Sequence, residues 1–134
     1  LETLKEMQVT HVIISGDLTT TSYKKEYLLA QAFVETLKKE GMQVFLIPGN
    51  HDHYTKKADR TKAFYHYFPS KYTHASGEID QFSLSEHGVT TCPLTDGWRL
   101  VLLDTTVATP LTSSEGFFSP VVEKNLTHLL SLID

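Results

Sequence analysis

Two polar clusters each close an uninterrupted apolar run: Gly16-Asp17 follows His11 to Ser15, and Gly49-Asn50-His51-Asp52 follows Val44 to Ile47 and Pro48. A carboxylate, an amide oxygen, an imidazole and a second carboxylate are groups that bind cations and move protons. The same types have ordinary uses: Asp17 as a turn or helix cap, Asn50 as a left-handed turn residue after Gly49, His51 and Asp52 as a solvated surface pair. Context weighs against those uses. A specified tetrapeptide arises by chance in a chain of this length on the order of once per thousand sequences, and here it directly follows a strand pattern.

Apolar runs without alternation suit strands covered on both faces. Between the two runs Leu29, Ala32, Phe33 and Leu37 recur at helical spacing, Ser22 is placed to cap, and Gly41 stands where a left-handed terminal residue is wanted. The unit reads as βαβ. A right-handed crossover puts both strand ends on the same side, so the two loops lie together and Asp17 can meet Asn50 where α/β sheets bind ligands.

Further along, Arg60 to Phe68 predicts a short helix with a core stripe of Phe64, Tyr67 and Phe68, stopped by Pro69. Gln81 to His87 alternates through Phe82 and Leu84 and predicts a strand; Arg99 to Leu103 predicts another, ending on Asp104-Thr105-Thr106. Ser119-Pro120 opens a last helix carrying Val122, Leu126, Leu129, Leu130 and Ile133 to the chain end. Without a repeat, low-complexity tract or linker, residues 1–134 read as one α/β domain.

The 134 residues, 40% hydrophobic and 21% charged, are ordinary for a globular domain and argue against disorder. Net charge is −4 and the lysines come in short pairs, so no basic stripe for nucleic acid forms and no nucleic-acid partner is expected. Cys92 is the only cysteine, which excludes an internal disulfide and a cysteine-based zinc knuckle and fits a reducing, cytoplasmic compartment. No apolar run approaches the ~20 residues needed to span a bilayer.

Gly16-Asp17-Leu18-Thr19 and Pro48-Gly49-Asn50-His51-Asp52 resemble the second and third motifs of the calcineurin-like metallophosphoesterases. Leu102-Leu103-Asp104-Thr105 and a Gly116-containing lead into the last helix support the same order. The resemblance implies a partial four-layer αββα sandwich whose N- and C-terminal parts are missing, and a hydrolase of phosphodiester or pyrophosphate bonds. It implies two divalent metal ions, Mn, Fe, Mg or Zn, held roughly 3.5–4 Å apart to activate a water for in-line attack. Asp17 would bridge them and Asn50 would bind one through its amide oxygen. His51 would face the phosphate, with Asp52 orienting it through a hydrogen bond.

For His53 the resemblance gives no ligand role, leaving substrate contact and plain exposure as equal readings. The remaining histidines, His11, His66, His74, His87 and His128, lack metal-ligand spacing. The family's upstream Asp-x-His, its later single histidine and its final Gly-His-x-His are not found. The chain is therefore expected to be the central part of a longer enzyme and inactive alone, the alternative being a degenerate member that serves as a protein-binding scaffold. Stretches such as Asn50-His51-Asp52-His53-Tyr54-Thr55 and Phe64-Tyr65-His66-Tyr67-Phe68-Pro69 are similar to the UDP-2,3-diacylglucosamine pyrophosphatases. That branch implies a phosphate-containing lipid substrate and peripheral association with the inner membrane; class III cyclic-nucleotide phosphodiesterases are the second branch.

Overall fold

Strand β2 (Gln43–Leu46) shows how the layers are built, because its successive side chains serve opposite faces. Val44 and Leu46 join a core with Tyr27, Ala30, Val34 and Leu37 of helix α2 (Lys24–Lys39). Phe45 turns the other way and joins Tyr72, Leu84, Cys92 and Leu102. Cys92 belongs to β3 (Val89–Thr95) and Leu102 to β4 (Trp98–Leu103). The reverse face of that hairpin, Val89 with Val101 and Leu103, packs with Leu126 and Leu129 of the last helix. Helix, sheet, sheet, helix is the resulting order, a partial α/β sandwich. The computed structural model describes residues 1–72, 81–95, 97–108 and 115–133; His74 lies outside them.

β1 (His11–Ile14) pairs with β2 in parallel, His11 opposite Gln43 and Ile14 opposite Leu46. β3 and β4 pair antiparallel with Val89 opposite Leu103, and the register slips between Pro93 and Thr95. A proline cannot donate to the ladder, which suits an irregular strand end. The Tyr72 hydroxyl acts as a surrogate strand for β2: it accepts from the Leu46 amide at 2.7 Å and donates to the Leu46 carbonyl at 3.0 Å. Burial pushes this phenol up to about 12.

Helix α2 buries Tyr27, Ala30, Val34 and Leu37, while Leu29 and Phe33 are 64% and 53% exposed. Both stripes have helical spacing. The Tyr27 stripe is the inner one because its ring stacks on Tyr67 at 4.7 Å and its hydroxyl donates to the Asp52 carbonyl. Ser22 does not cap α2; Tyr23 occupies that position, and the Glu26 carboxylate accepts from its amide at 2.9 Å. Gly41 does take the left-handed conformation, at φ +85°.

Gln81 to His87 is not a strand. Leu84–His87 forms the short helix α4, closed by Gly88 at φ +69°, with the Ser83 amide donating to His87 Nδ1 at 3.1 Å. Phe82 and Leu84 match the strand period, but Phe82 precedes the helix and a single pair is too short to define a strand, which begins only at Val89, where β-branched residues follow one another. The predicted helix over Arg60 to Phe68 is split. α3 (Lys56–Arg60) ends before Lys62 at φ +50°, and a 3₁₀ turn follows over Ala63–His66. Phe64 and Phe68 are core residues as read. Helix α5 (Pro120–Leu130) starts on a Ser119 cap but ends before Ile133. A short α1 (Glu2–Glu6) precedes β1.

Candidate functional site

The loops after β1 and β2 meet backbone to backbone. A Cβ on Gly16, which has φ +106°, would lie 2.4 Å from the Gly49 nitrogen; one on Gly49 would lie 2.2 Å from Asp17 Oδ1. Only glycine fits at either position. Asp17 itself is left-handed at φ +55°, a conformation that aspartate tolerates better than most residues. Its Oδ1 accepts from the His51 amide at 3.1 Å, and Oδ2 has no protein partner among the described residues. Asn50 opens the 3₁₀ turn Asn50–His53 directly beside it. The structure thus brings Asp17, Asn50 and His51 into one loop pair at the carboxyl ends of two parallel strands.

Asp52 does not hydrogen-bond the His51 ring. Fully buried, its carboxylate accepts from the backbone amides of Thr19 at 2.8 Å, Gly49 at 2.9 Å and Leu18 at 3.2 Å. It is the clamp that joins the two loops. His51 is oriented instead by the Thr20 carbonyl, 2.8 Å from Nδ1. A carbonyl only accepts, so Nδ1 carries the hydrogen and Nε2 is left as the ring's available atom. Tyr54 stacks on the ring at 5.3 Å and 6°. The His51 carbonyl accepts from Ser22 Oγ at 2.7 Å and Thr19 Oγ1 at 3.0 Å.

The Thr20 carbonyl is placed by Glu26, whose carboxylate gathers the amides of Thr20, Thr21 and Tyr23. Those donors, the Tyr23 amide foremost, hold the Glu26 carboxyl below its usual range. Ser22, at φ +60°, spends its hydroxyl on the His51 carbonyl and the Tyr54 amide, which is why it is not the helix cap.

His53 is neither exposed nor in the loop surface. It is fully buried, edge-on to Phe64 and Tyr65, with Nδ1 2.8 Å from Thr106 Oγ1. The Thr106 hydroxyl donates to Asp104 Oδ1, and the Tyr65 hydroxyl donates to Asp104 Oδ2 at 2.7 Å. Thr106 Oγ1 must then accept from His53 Nδ1–H, and His53 Nε2 has no partner among the described residues. Burial holds the His53 imidazolium below its ordinary range, the nearby Asp104 opposing in part. Burial first, and the Asp104 charge second, drive the Tyr65 phenol far above its ordinary range. This network ties the loop after β4 to the turn that carries Asn50 and His51. Asp104-Thr105-Thr106 at a strand end was its one sequence trace; the His53 partner is 53 residues away and could not be read.

Among the described residues no three of His, Cys, Asp and Glu converge as a metal-binding group. What the two loops set side by side is Asp17, one carboxylate oxygen of which accepts from the His51 amide, and Asn50, the residue before His51. The sequence profile of the calcineurin-like phosphoesterases matches residues 1–123, and the chain belongs to that family. The family comprises hydrolases of phosphate esters that typically use divalent metals. No curated protein and no solved structure gives a significant match.

Proposed function

We propose that this chain carries the core of a metal-dependent hydrolase of phosphodiester or pyrophosphate bonds, with Asp17 and Asn50 as metal ligands and His51 as the phosphate-facing group. The observation that supports it most is the fixed juxtaposition of the open Asp17 carboxylate with the His51 amide at 3.1 Å, on glycines that admit no side chain. Asp17 and Asn50 fit a hard divalent cation in type, and such an ion takes about six oxygen ligands, so the pair is one corner of a site. When bound, the metals would activate water and neutralise phosphate charge.

The chain's own residues do the positioning. With Nδ1–H fixed on Thr20, neutral His51 presents Nε2 as an acceptor, and protonated His51 presents it as a donor to a phosphate or leaving oxygen. Asp52 and Glu26 set its place through the backbone, not through the ring. Within this reaction class we place UDP-2,3-diacylglucosamine first as substrate, supported by the motif stretches through Thr55 and Pro69, with peripheral membrane association following from its acyl chains. Among the described residues no helix is long and apolar enough to cross a membrane.

The test is hydrolysis by the full-length protein, with Mn²⁺ and with EDTA, of UDP-2,3-diacylglucosamine and of cyclic AMP. Metal-dependent release of UMP is expected, and His51→Ala should lower turnover about 10²–10⁴-fold while leaving metal content unchanged. Turnover of the cyclic nucleotide alone would replace the substrate; loss of metal from His51→Ala would move His51 into the ligand set.

A further inference from the structure

Next to His51 lies a cleft of about 490 Å³, a size typical of small-molecule sites, roughly 300–1,000 Å³. Its charged lining is of one sign, Lys24 from the first turn of α2 and Lys57 from α3, with no carboxylate among the lining residues; the His66 ring adds a further polar group. Neither lysine is in an ion pair among the described residues. The closest acid in the first turn of α2, Glu26, is occupied by loop amides and by the Thr21 hydroxyl at 3.0 Å.

Two short paths join this cleft to the candidate site. Thr20 holds the His51 ring, and the next residue, Thr21, lines the cleft. Tyr54 stacks on that ring, and the next residue, Thr55, lines the cleft as well. Ser22 closes the loop between them, donating to the His51 carbonyl and accepting from the Tyr54 amide. Tyr67, Ala58 and Ala63 add apolar wall. Unpaired ammonium groups beside apolar wall suit an anion attached to an organic body.

We propose that this cleft receives a second phosphate-class anion of the substrate, with its organic group, while the scissile phosphate lies at Asp17, Asn50 and His51. This rests on the proposed function and narrows it. A linear diphosphate diester has a second charged phosphate to offer the lysines. A cyclic nucleotide has one phosphate, already committed beside His51.

The test is the double variant Lys24→Gln/Lys57→Gln of the full-length protein, both side chains being exposed and free of packing roles. In EDTA, binding of UMP measured by calorimetry should be weakened about tenfold or more by the double change, and by added salt in the wild type. Undiminished UMP binding in the variant, or none in the wild type, overturns the proposal. With Mn²⁺, the rise in KM on a UDP-sugar should exceed that on bis(p-nitrophenyl) phosphate, which has one phosphate, by about tenfold; equal changes overturn it. If neither compound is hydrolysed by the wild type, the hydrolase reading fails, and the UMP measurement decides the cleft independently.

Discussion

Asp52 shows how a residue can be indispensable to a site without touching its chemistry. Its buried carboxylate satisfies three backbone amides from two loops, and His51 keeps its place because those loops stay together. Each amide left unsatisfied in the interior costs about 1–3 kcal/mol. Asp52→Ala should therefore lower stability by about 3 kcal/mol or more in urea denaturation, and Asp52→Asn, which keeps one acceptor oxygen, by less. Unchanged stability in Asp52→Ala would show that the clamp is not structural. His53 yields a second prediction at this scale. Its folded pKa is depressed by burial, so the native state favours the neutral ring while the unfolded chain titrates near its ordinary ~6.5. The unfolded state then binds more protons, and stability present above that value falls as pH drops below it. His53→Gln should flatten the pH dependence of the melting temperature between about pH 6.5 and 5, whatever it does to the midpoint at pH 8.

At the scale of elements, the site depends on how closely two βα loops approach, and that approach was legible. Gly-Asp after one apolar run and Gly-Asn-His-Asp after another, with a helix between, required parallel strands and adjacent loops, and β1 pairs with β2 in that sense. The side-chain partners were not legible. A His-Asp neighbour pair invites a mutual hydrogen bond, yet in a tight 3₁₀ turn the two side chains serve opposite directions, one to Thr20 and one into the interior. Likewise α2 has two apolar stripes of equal spacing, and only Tyr67 and the Asp52 carbonyl, distant in sequence, select the Tyr27 stripe. Gly49→Ala tests the approach directly. Its Cβ would meet the Asp17 carboxylate and amide, 2.2 and 2.5 Å away, so the loops must separate. A loss of about 1–3 kcal/mol, the usual cost of overpacking, is expected in thermal unfolding. A variant as stable as the wild type would mean that the loops do not meet as described.

The whole molecule is a layered α/β unit in which one hairpin and one parallel pair pack face to face through Phe45, Cys92 and Leu102. The four-layer order was legible from the family resemblance and emerges again from strand alternation. The outer surface was not, since Leu29, Phe33 and Ile13 remain 64%, 53% and 52% exposed despite their apolar patterns. Periodicity identifies a face that can be buried; it does not supply the partner. The same holds for the proposed metal site, where the described residues set Asp17 and Asn50 on adjacent loops and the decisive role proposed is that of Asp17. The most direct measurement is therefore a paired one on the full-length protein: Mn²⁺ content and phosphodiester turnover of wild type and Asp17→Asn, with circular dichroism to show that both are folded. If Asp17 is the metal-bridging carboxylate, EDTA abolishes turnover in the wild type, and the variant is folded with impaired metal binding and turnover lower by several orders of magnitude. Turnover that survives EDTA, or an Asp17→Asn protein as active as the wild type, would contradict it.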